Sequence, residues 1–229
     1  MSASGRLGIL GGTFDPIHFG HLDAADAARR ALGLDAVRLI PSWDPPHRPA
    51  DPFAPPFHRF ALVALAIQEY ESFHASDMEL TRTGPSYTAD TLRALHVEGW
   101  QPSQLFFILG ADAFAEIATW REFPAVLDAA HFVVVARPGT TLDAAAAKRP
   151  ELRPRLRQAA HGTSGAAATS IFLVEARTRD VSSSAIRARL TAQQPIDDLV
   201  PVPVARHIVA HHLYEAVGNL HGQDSAISK

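Results

Sequence analysis

Short apolar runs recur along this chain, and segments with helical periodicity separate them. Three of the runs cover residues 36–40, 105–109 and 131–136, and each is apolar at nearly every position. Strands that are hydrophobic on both faces are typical of parallel sheets whose two sides are covered by helices. The alternation therefore predicts a doubly wound α/β fold.

The first unit of the chain shows this pattern most clearly. Residues 7–10 form an apolar run that ends in two glycines, which predicts a buried strand followed by a tight turn. Residues 20–32 have helical periodicity, and Gly33 is the expected stop. With the next strand at 36–40, the order strand, turn, helix, strand predicts a right-handed parallel crossover.

Composition limits the classes of protein to which the chain can belong. Its 229 residues are 47% hydrophobic and 20% charged, so one domain with a full core is expected. A formal net charge of −3 argues against a protein that coats nucleic acid. The absence of cysteine excludes disulfides and thiolate metal sites. No apolar run reaches the ~20 residues that span a bilayer, and the N-terminus does not resemble a signal peptide, so a cytoplasmic protein is expected.

Domain boundaries follow from the same patterns. We expect one domain over residues 1–217, which ends in a helical portion, a flexible tail at 218–229 and a variable insertion at 140–169. Six prolines between residues 41 and 55 predict a long irregular loop. The other predicted elements are helices at 57–70 and 88–97, and strands within 73–80 and at 170–174.

The chemically richest segment joins the first strand to the first helix. It reads Gly-Gly-Thr-Phe-Asp-Pro-Ile-His-Phe-Gly-His over residues 11–21. His18 and His21 are three residues apart, so they project from the same side of the helix start. A helix N-terminus offers unpaired N–H donors and positive potential, and glycines let a ligand approach the backbone. Together these features predict a polyphosphate site.

Other interpretations of this segment stay open on the residues alone. The glycines can serve a tight turn with two surface histidines beside it. A zinc site needs at least three ligands, and no third ligand is evident near His18 and His21. The segment is neither a Walker A loop nor the G-x-G-x-x-G dinucleotide fingerprint.

A second segment, at residues 181–187, reads Val-Ser-Ser-Ser-Ala-Ile-Arg. Serines at a helix start cap the backbone and offer hydroxyls to phosphate oxygens, and an arginine adds a charged fork. Taken alone, the segment indicates a helix cap with Arg187 on a solvated face. Beside the first segment, phosphate binding is the better interpretation.

The two segments together resemble the nucleotidyltransferase α/β-phosphodiesterase superfamily. The first is similar to its (H/T)-x-G-H motif and the second to its I-S-S-T-x-I-R motif. Val181 and Ser184 replace isoleucine and threonine, and residue 184 keeps its hydroxyl. The resemblance implies a Rossmann-like fold that binds ATP.

Segments between these motifs resemble the bacterial nicotinate-nucleotide adenylyltransferases. The similarity runs from about residue 7 to residue 212 and is weakest over 140–169. It implies adenylyl transfer from ATP to nicotinate mononucleotide, giving nicotinate adenine dinucleotide and pyrophosphate, a step of NAD biosynthesis. The segments are Pro-Pro-His-Arg at 45–48, Gly-Pro-Ser-Tyr-Thr-Ala-Asp-Thr-Leu at 84–92, Leu-Gly-Ala-Asp at 109–112 with Trp120 downstream, and Arg-Pro-Gly at 137–139.

The resemblance implies three groups of site residues. The catalytic group is His18, His21 and Arg187. The residues implied at ATP are Gly11, Gly12, Thr13, Phe14, Gly110, Asp112, Ser183, Ser184 and Ile186. Those implied at nicotinate mononucleotide are His47, Arg48, Tyr87, Thr88, Trp120 and Arg137.

Some of these residues have an alternative role. Tyr87 and Thr88 open a predicted helix whose N–H groups can receive a carboxylate without a buried cation, which favours the acid over the amide. Trp120 either stacks on the pyridine ring or is an ordinary core aromatic. Asp112 either binds the ATP ribose or caps a helix.

The expected partners are small molecules, with Mg²⁺ carried mainly by the ATP phosphates and no metal ligand from the protein. His207, His211 and His212 lie in the last amphipathic segment, and we interpret them as part of a packed or solvated helix rather than as a metal site. A homo-oligomer is compatible with the sequence.

Two rival functions remain. A class I aminoacyl-tRNA synthetase shares a similar histidine turn, but it needs a K-M-S-K-S-like segment and an RNA-binding domain. This chain is short and has two lysines, Lys148 and Lys229. A nucleotide sensor that binds without turnover is the alternative outside enzymes, and the full set of histidines, serines and arginine argues against it.

Overall fold

One central sheet of seven parallel strands organises the molecule. The computed structural model describes residues 5–45, 53–136, 149–159 and 168–214, together with Ala144 and Ala147. The strands are β1 (Leu7–Gly12), β2 (Ala36–Pro41), β3 (Phe73–Ala75), β4 (Leu105–Gly110), β5 (His131–Ala136), β6 (Leu156–Gln158) and β7 (Ile171–Glu175). Their order across the sheet is β3-β2-β1-β4-β5-β7-β6, and every pair is parallel. The predicted doubly wound, Rossmann-like architecture is confirmed.

Helices flank this sheet. Those described are α1 (Phe19–Leu32), α2 (Pro56–Ala66), α3 (Thr88–Val97), α4 (Ala111–Ala115), α5 (Ser183–Thr191) and α6 (Val202–Ala210). Short 3₁₀ turns cover Pro102–Gln104, Ile117–Thr119, Ala125–Asp128 and Pro150–Arg155. None of the described helices combines the length and the apolar character that a membrane crossing requires.

The core lies on both faces of the sheet, as the apolar strands predict. Along β5, Val133 and Val135 belong to a cluster that includes residues of α1, α2 and α6. Phe132 and Val134 point the other way and belong to a second cluster with α3 and α4. Burial of both faces removes a large apolar area from water. Each Å² of apolar surface buried stabilises the fold by roughly 25 cal/mol.

The strand order reverses direction between β1 and β4. From β1 the chain proceeds outward to β2 and β3, and it then returns to place β4 on the other side of β1. The register sets Leu10 beside Ile108, two residues before Gly12 and Gly110. The carboxyl ends of β1 and β4 therefore meet at a topological switch point, where such sheets bind ligands. We call this place the mouth.

Most predicted elements agree with the structure. The helix at 88–97 and the strand at 131–136 have the predicted bounds. α1 ends as expected at Gly33, whose φ of 61° is left-handed and whose N–H donates to the Arg29 carbonyl.

Two expectations differ from the structure. The helix expected at 57–70 ends at Ala66, because the chain turns there and Tyr70 stacks on Phe73 at the start of β3. The strand β6 was not predicted, since Leu156–Gln158 is a short edge strand with no apolar run. The predicted insertion at 140–169 lies partly, and the tail at 218–229 wholly, outside the described residues.

Candidate active site

The mouth opens beside two stacked imidazoles at the start of α1. The rings of His18 and His21 have centroids 3.7 Å apart and are inclined by 24°. The His18 backbone N–H donates to His21 Nδ1 at 3.3 Å. Because Nδ1 accepts, the neutral His21 ring carries its proton on Nε2, which is then a donor for an anion. The buried His18 Nδ1 has no hydrogen-bond partner among the described residues.

Both imidazoles are neutral in the free protein at pH 7. Burial lowers the pKa of His18 to about 4, although the nearby Asp23 carboxylate acts in the opposite direction. Burial and the adjacent His18 ring hold the pKa of His21 well below its usual value. A polyphosphate beside the pair would favour the protonated form and raise both pKa values.

Glycines leave room around this pair. A Cβ atom at Gly110 would meet no described atom within 4 Å, so the end of β4 is open. A Cβ atom at Gly20 would lie 3.1 Å from His18 Nδ1 and 3.2 Å from the Arg179 carbonyl oxygen. A side chain at residue 20 would therefore displace the His18 ring.

Phe14 packs against the imidazole pair from the core. It is 2% exposed, and its ring meets the His21 ring edge-on with centroids 5.1 Å apart. Its φ of 48° is costly for an aromatic residue. A Cβ atom at Gly12 would lie 3.3 Å from this ring, whereas one at Gly11 would make an ordinary 3.5 Å contact with Phe107. Because the ring is buried, Phe14 offers a ligand its backbone only.

Arg59 on α2 is a fully buried cation that holds the loop after β1. Its guanidinium donates to the carbonyl oxygens of Thr13 at 2.7 Å, Ala54 at 3.1 Å and Trp43 at 3.3 Å. A buried charge requires such partners. The backbone of Thr13 is thereby fixed at the mouth.

Asp15 joins three segments that are distant in sequence. Its fully buried carboxylate accepts hydrogen bonds from the backbone N–H groups of Phe53 at 2.9 Å and Ala54 at 3.0 Å. Its carbonyl oxygen accepts from Arg187 Nη1 at 2.6 Å, and that nitrogen lies 3.9 Å from Asp15 Oδ2. The first motif and the second motif are therefore bonded to each other.

The three serines of the second motif make different hydrogen bonds. Ser182 caps α5, since its Oγ accepts from a backbone N–H three residues on at 3.1 Å. Ser183 donates its hydroxyl proton to the Pro16 carbonyl oxygen at 2.9 Å. Ser184 Oγ instead accepts from Arg187 Nη2 at 3.2 Å, a bond that does not use its own hydroxyl proton. Of the two predicted serines, Ser184 is therefore the one whose hydroxyl proton is not used in these bonds.

Arg187 is oriented before any ligand arrives. Its side chain is 15% exposed, and its guanidinium lies 4.4 Å from the centre of the Phe53 ring. The preceding residue, Ile186, is fully buried in the core, so only its backbone is available to a nucleotide. A guanidinium fixed on several sides presents its remaining N–H groups in a defined direction.

The other side of the mouth is the N-terminus of α3, which begins at Thr88 as predicted. Tyr87 is the N-cap residue, and no side chain caps this helix among the described residues. Its first N–H groups are therefore available to an anion.

A buried carboxyl holds this helix start in place. The Glu79 carboxylate contacts the Thr91 hydroxyl and lies 3.7 Å from the Arg82 guanidinium. Burial raises the pKa of Glu79, and hydrogen bonds from Thr91 and Ser86 partly oppose this. Ser86 Oγ also accepts the Trp43 backbone N–H at 2.9 Å, so the loop after β2 is tied to α3.

Trp120 and Arg121 lie next to α3. The Trp120 indole packs edge-on against Phe107, with centroids 5.8 Å apart, and it keeps part of its surface exposed. The Arg121 guanidinium lies 4.8 Å from the centre of the Tyr87 ring and 3.1 Å from Asp90 Oδ2. An exposed cation thus accompanies the helix start at which a carboxylate was predicted.

Of the remaining predicted residues, one is described by the structure and three are not. Asp112 is exposed in the first turn of α4, two residues after Gly110. His47, Arg48 and Arg137 lie outside the described residues.

Sequence reasoning missed four residues that build the mouth: Asp15, Arg59, Glu79 and Arg121. One had a readable signal, because Arg59 falls on the apolar stripe that α2 buries with Leu62, Val63 and Ala66. A charge on such a stripe indicates a buried, partnered group. The others had none, since a single acidic or basic residue in a loop or turn is ordinary.

Most of this chain is similar in sequence to known proteins. Residues 9–189 match the family model described as cytidylyltransferase-like. A probable nicotinate-nucleotide adenylyltransferase of Symbiobacterium thermophilum is 42% identical over 95% of this chain and 98% of its own length. One from Roseiflexus sp. is 42% identical over 93% and 99%.

Solved structures agree on the fold. A Plasmodium falciparum nicotinic acid mononucleotide adenylyltransferase complexed with NaAD superposes with a TM-score of 0.69 at 18% identity, covering 92% of this chain and 98% of the other. The same enzyme complexed with APC gives 0.68 over the same shares.

Proposed function

Since the chain belongs to the cytidylyltransferase-like family and, within it, to the nicotinate-nucleotide adenylyltransferases, we propose that it joins ATP to nicotinate mononucleotide at the mouth. A phosphate oxygen of the mononucleotide attacks the α-phosphorus of ATP. The bond from that phosphorus to the bridging oxygen breaks, and pyrophosphate leaves with the electron pair. The other product is nicotinate adenine dinucleotide. The attacking phosphate is already an anion, so no covalent protein intermediate is needed, and positioning and charge stabilisation supply the catalysis.

The stacked pair of His18 and His21 carries this proposal. Its donors stand at a helix N-terminus, where the backbone adds positive potential. His21 Nε2–H donates to an oxygen of the α-phosphate as charge develops there, and a ring N–H of His18 donates to a neighbouring phosphate oxygen. The backbone of residues 11–14 and the open end of β4 at Gly110 accommodate the rest of ATP.

Arg187 and Ser184 take the leaving pyrophosphate. The guanidinium fork is fixed by Asp15, and the Ser184 hydroxyl proton is unused by Arg187. Ser183 contributes mainly by its bond to Pro16, which keeps α5 against the first motif. Asp112, next to the open strand end, accepts from the ribose hydroxyls.

Nicotinate mononucleotide occupies the α3 side. Its carboxylate receives the N–H groups at Tyr87 and Thr88, and the exposed part of Trp120 stacks on the pyridine ring. The resemblance to the family assigns the mononucleotide phosphate to His47, Arg48 and Arg137.

The donors at the mouth are imidazoles, a guanidinium and backbone N–H groups, which suit an anion. Mg²⁺ prefers oxygen ligands, and the one carboxylate in the first motif, Asp15, is already bonded to two backbone N–H groups. Mg²⁺ therefore enters as part of the MgATP substrate, and no step is assigned to a protein-held ion. Because the reaction consumes ATP, we place it in the cytoplasm.

Pyrophosphate release tests the proposal. The full chain is incubated with MgATP and nicotinate mononucleotide together, and with each one separately. We expect pyrophosphate and dinucleotide in equal amounts, and only when both substrates are present. Binding of ATP without pyrophosphate would support a nucleotide sensor instead. Pyrophosphate formed without the mononucleotide would indicate another acceptor for the adenylyl group.

A further inference from the structure

Three histidines from two helices converge, and none of the three is assigned to the mouth. His58 lies in the first turn of α2, and His207 and His211 lie at the end of α6, one helical turn apart. One ring nitrogen from each lies within 4.8 Å of the other two. The three rings have centroids between 4.3 and 5.3 Å apart.

One pair of these histidines already has the spacing found in the first shell of a tetrahedral ion. Zinc binds imidazole nitrogen at about 2.0–2.1 Å, which places two such nitrogens roughly 3.3 Å apart. His58 Nδ1 and His207 Nε2 are 3.1 Å apart. His211 is exposed at the helix end, so its ring is free to rotate toward the other two.

The donor set selects the class of metal. Imidazole suits Zn²⁺, Ni²⁺ and Cu²⁺, whereas Mg²⁺ and Ca²⁺ prefer oxygen. His211 is also the C-cap residue of α6, and the C-terminus of a helix carries partial negative charge that favours a cation.

We infer that His58, His207 and His211 form a binding site for a zinc-class divalent cation that clamps α6 to α2. Water fills the fourth position. The sequence interpretation of His207, His211 and His212 as part of a packed or solvated helix did not include His58, which lies 149 residues from His207.

The site's position suggests stabilisation rather than chemistry. His58 precedes Arg59, whose buried guanidinium holds the Thr13 carbonyl at the mouth. An ion that fixes the start of α2 therefore also helps to hold Arg59, and through it the loop after β1, in place. The inference does not depend on the proposed reaction, and its test uses no activity.

Metal binding by the untagged full chain is the test. After treatment with a chelator, the protein is titrated with Zn²⁺ by calorimetry, and Tm is followed in parallel. We expect one ion per chain and a Tm rise of about 5–10 °C when free zinc is ~100 times Kd. Mg²⁺ should produce no such rise.

Two ligand variants and one control test the site. His58→Gln and the exposed-site His211→Gln should each weaken zinc binding by at least ~10²-fold, because even outer-shell partners contribute 10–100-fold. His74→Gln, at an exposed histidine of β3, is the matched control and should bind zinc like the parent. His211→Gln disturbs no buried packing, so its result stands even if His58→Gln fails to fold.

Two outcomes overturn the inference. Absence of a stoichiometric ion would leave the His58–His207 contact as a plain hydrogen bond between neutral rings. Equal zinc binding by the parent and by both ligand variants would mean adventitious binding at other histidines.

Discussion

The two sides of the mouth hold their polar groups in different ways. On the α1 side, Asp15 and His18 are buried, and Arg187 is 15% exposed and bonded on several sides. On the α3 side, Arg121 lies over the ring of Tyr87, the N-cap residue, and its side chain is 50% exposed and paired with Asp90. The polar groups of the α1 side are preorganised, whereas the exposed cation on the α3 side is adjustable.

This contrast fits what each side is proposed to bind. Charge develops on the triphosphate during reaction, and fixed donors stabilise it most because they need no reorganisation. The nicotinate carboxylate keeps its charge throughout, so its recognition contributes to binding and selectivity rather than to rate. Substitutions on the α1 side should therefore lower kcat, and those on the α3 side should mainly alter KM.

The largest effect is expected for His21→Ala. Losing one preorganised donor typically costs ~10²–10³ in rate, so kcat should fall by that order while the fold remains. Steady-state turnover and circular dichroism measure the two quantities, with His74→Ala as the control. Turnover near that of the parent would remove His21 from the mechanism and erase the contrast between the two sides.

The second prediction concerns acid and the buried His18. The pKa of His18 is about 4 when folded and about 6.5 when unfolded, so the unfolded chain binds more protons between these values. The contribution of the neutral His18 ring to the free energy of unfolding is therefore fully present above pH 6.5 and is lost as pH falls through 4. The loss amounts to about 3 kcal/mol.

Urea unfolding between pH 7 and pH 4 measures this loss. The non-titrating variant His18→Asn should lose less stability over the same range. The two losses in the free energy of unfolding should differ by about 3 kcal/mol. Parallel curves for the two proteins would show that His18 is not held neutral by its surroundings.

The third prediction concerns selectivity on the α3 side. A helix N-terminus stabilises a nearby anion by typically 0.3–1 kcal/mol, and by ~2 kcal/mol when partly buried, so kcat/KM should favour the acid over the amide mononucleotide by roughly 2–30-fold. The ratio of the two kcat/KM values measures it directly. A higher value for the amide would contradict the assignment of Tyr87 and Thr88.

The smallest effect is expected for Arg121→Ala. Exposed ion pairs contribute about 0–1 kcal/mol, so stability should change by no more than that and kcat should stay unchanged. KM for the acid should rise a few-fold, since the cation beside Tyr87 is lost. A large fall in kcat would mean that this side is as preorganised as the other.

The fold was predictable because its signals are local. Strands that are apolar on both faces and helices with clear periodicity define a parallel α/β sheet, and Gly33 ends α1 by a conformation that glycine adopts easily. The strand β6 could not be predicted, because its three edge residues show no hydrophobic periodicity. The helix predicted at 57–70 is longer than α2, because Ile67 and Tyr70 continue the apolar pattern although they lie in the turn that follows the helix.

The supporting residues of the site were less predictable, because their partners are distant in sequence. His18 and His21 could be identified from three-residue spacing at a helix start. Nothing in the sequence links Asp15 to Phe53 or to Arg187, since those bonds are made only by the folded chain. The roles of Ser183 and Ser184 could be separated only once their hydrogen-bond partners were known.

The bond from Ser183 to Pro16 spans 167 residues, and that from Arg187 to Asp15 spans 172. A ribosome adds about 5–20 residues per second, so the first motif is synthesised roughly 10–30 seconds before the second. During that interval a nascent chain holds the imidazoles without their arginine. The proposed triphosphate site is therefore completed late in synthesis, and a prematurely terminated product would have the first motif without the second.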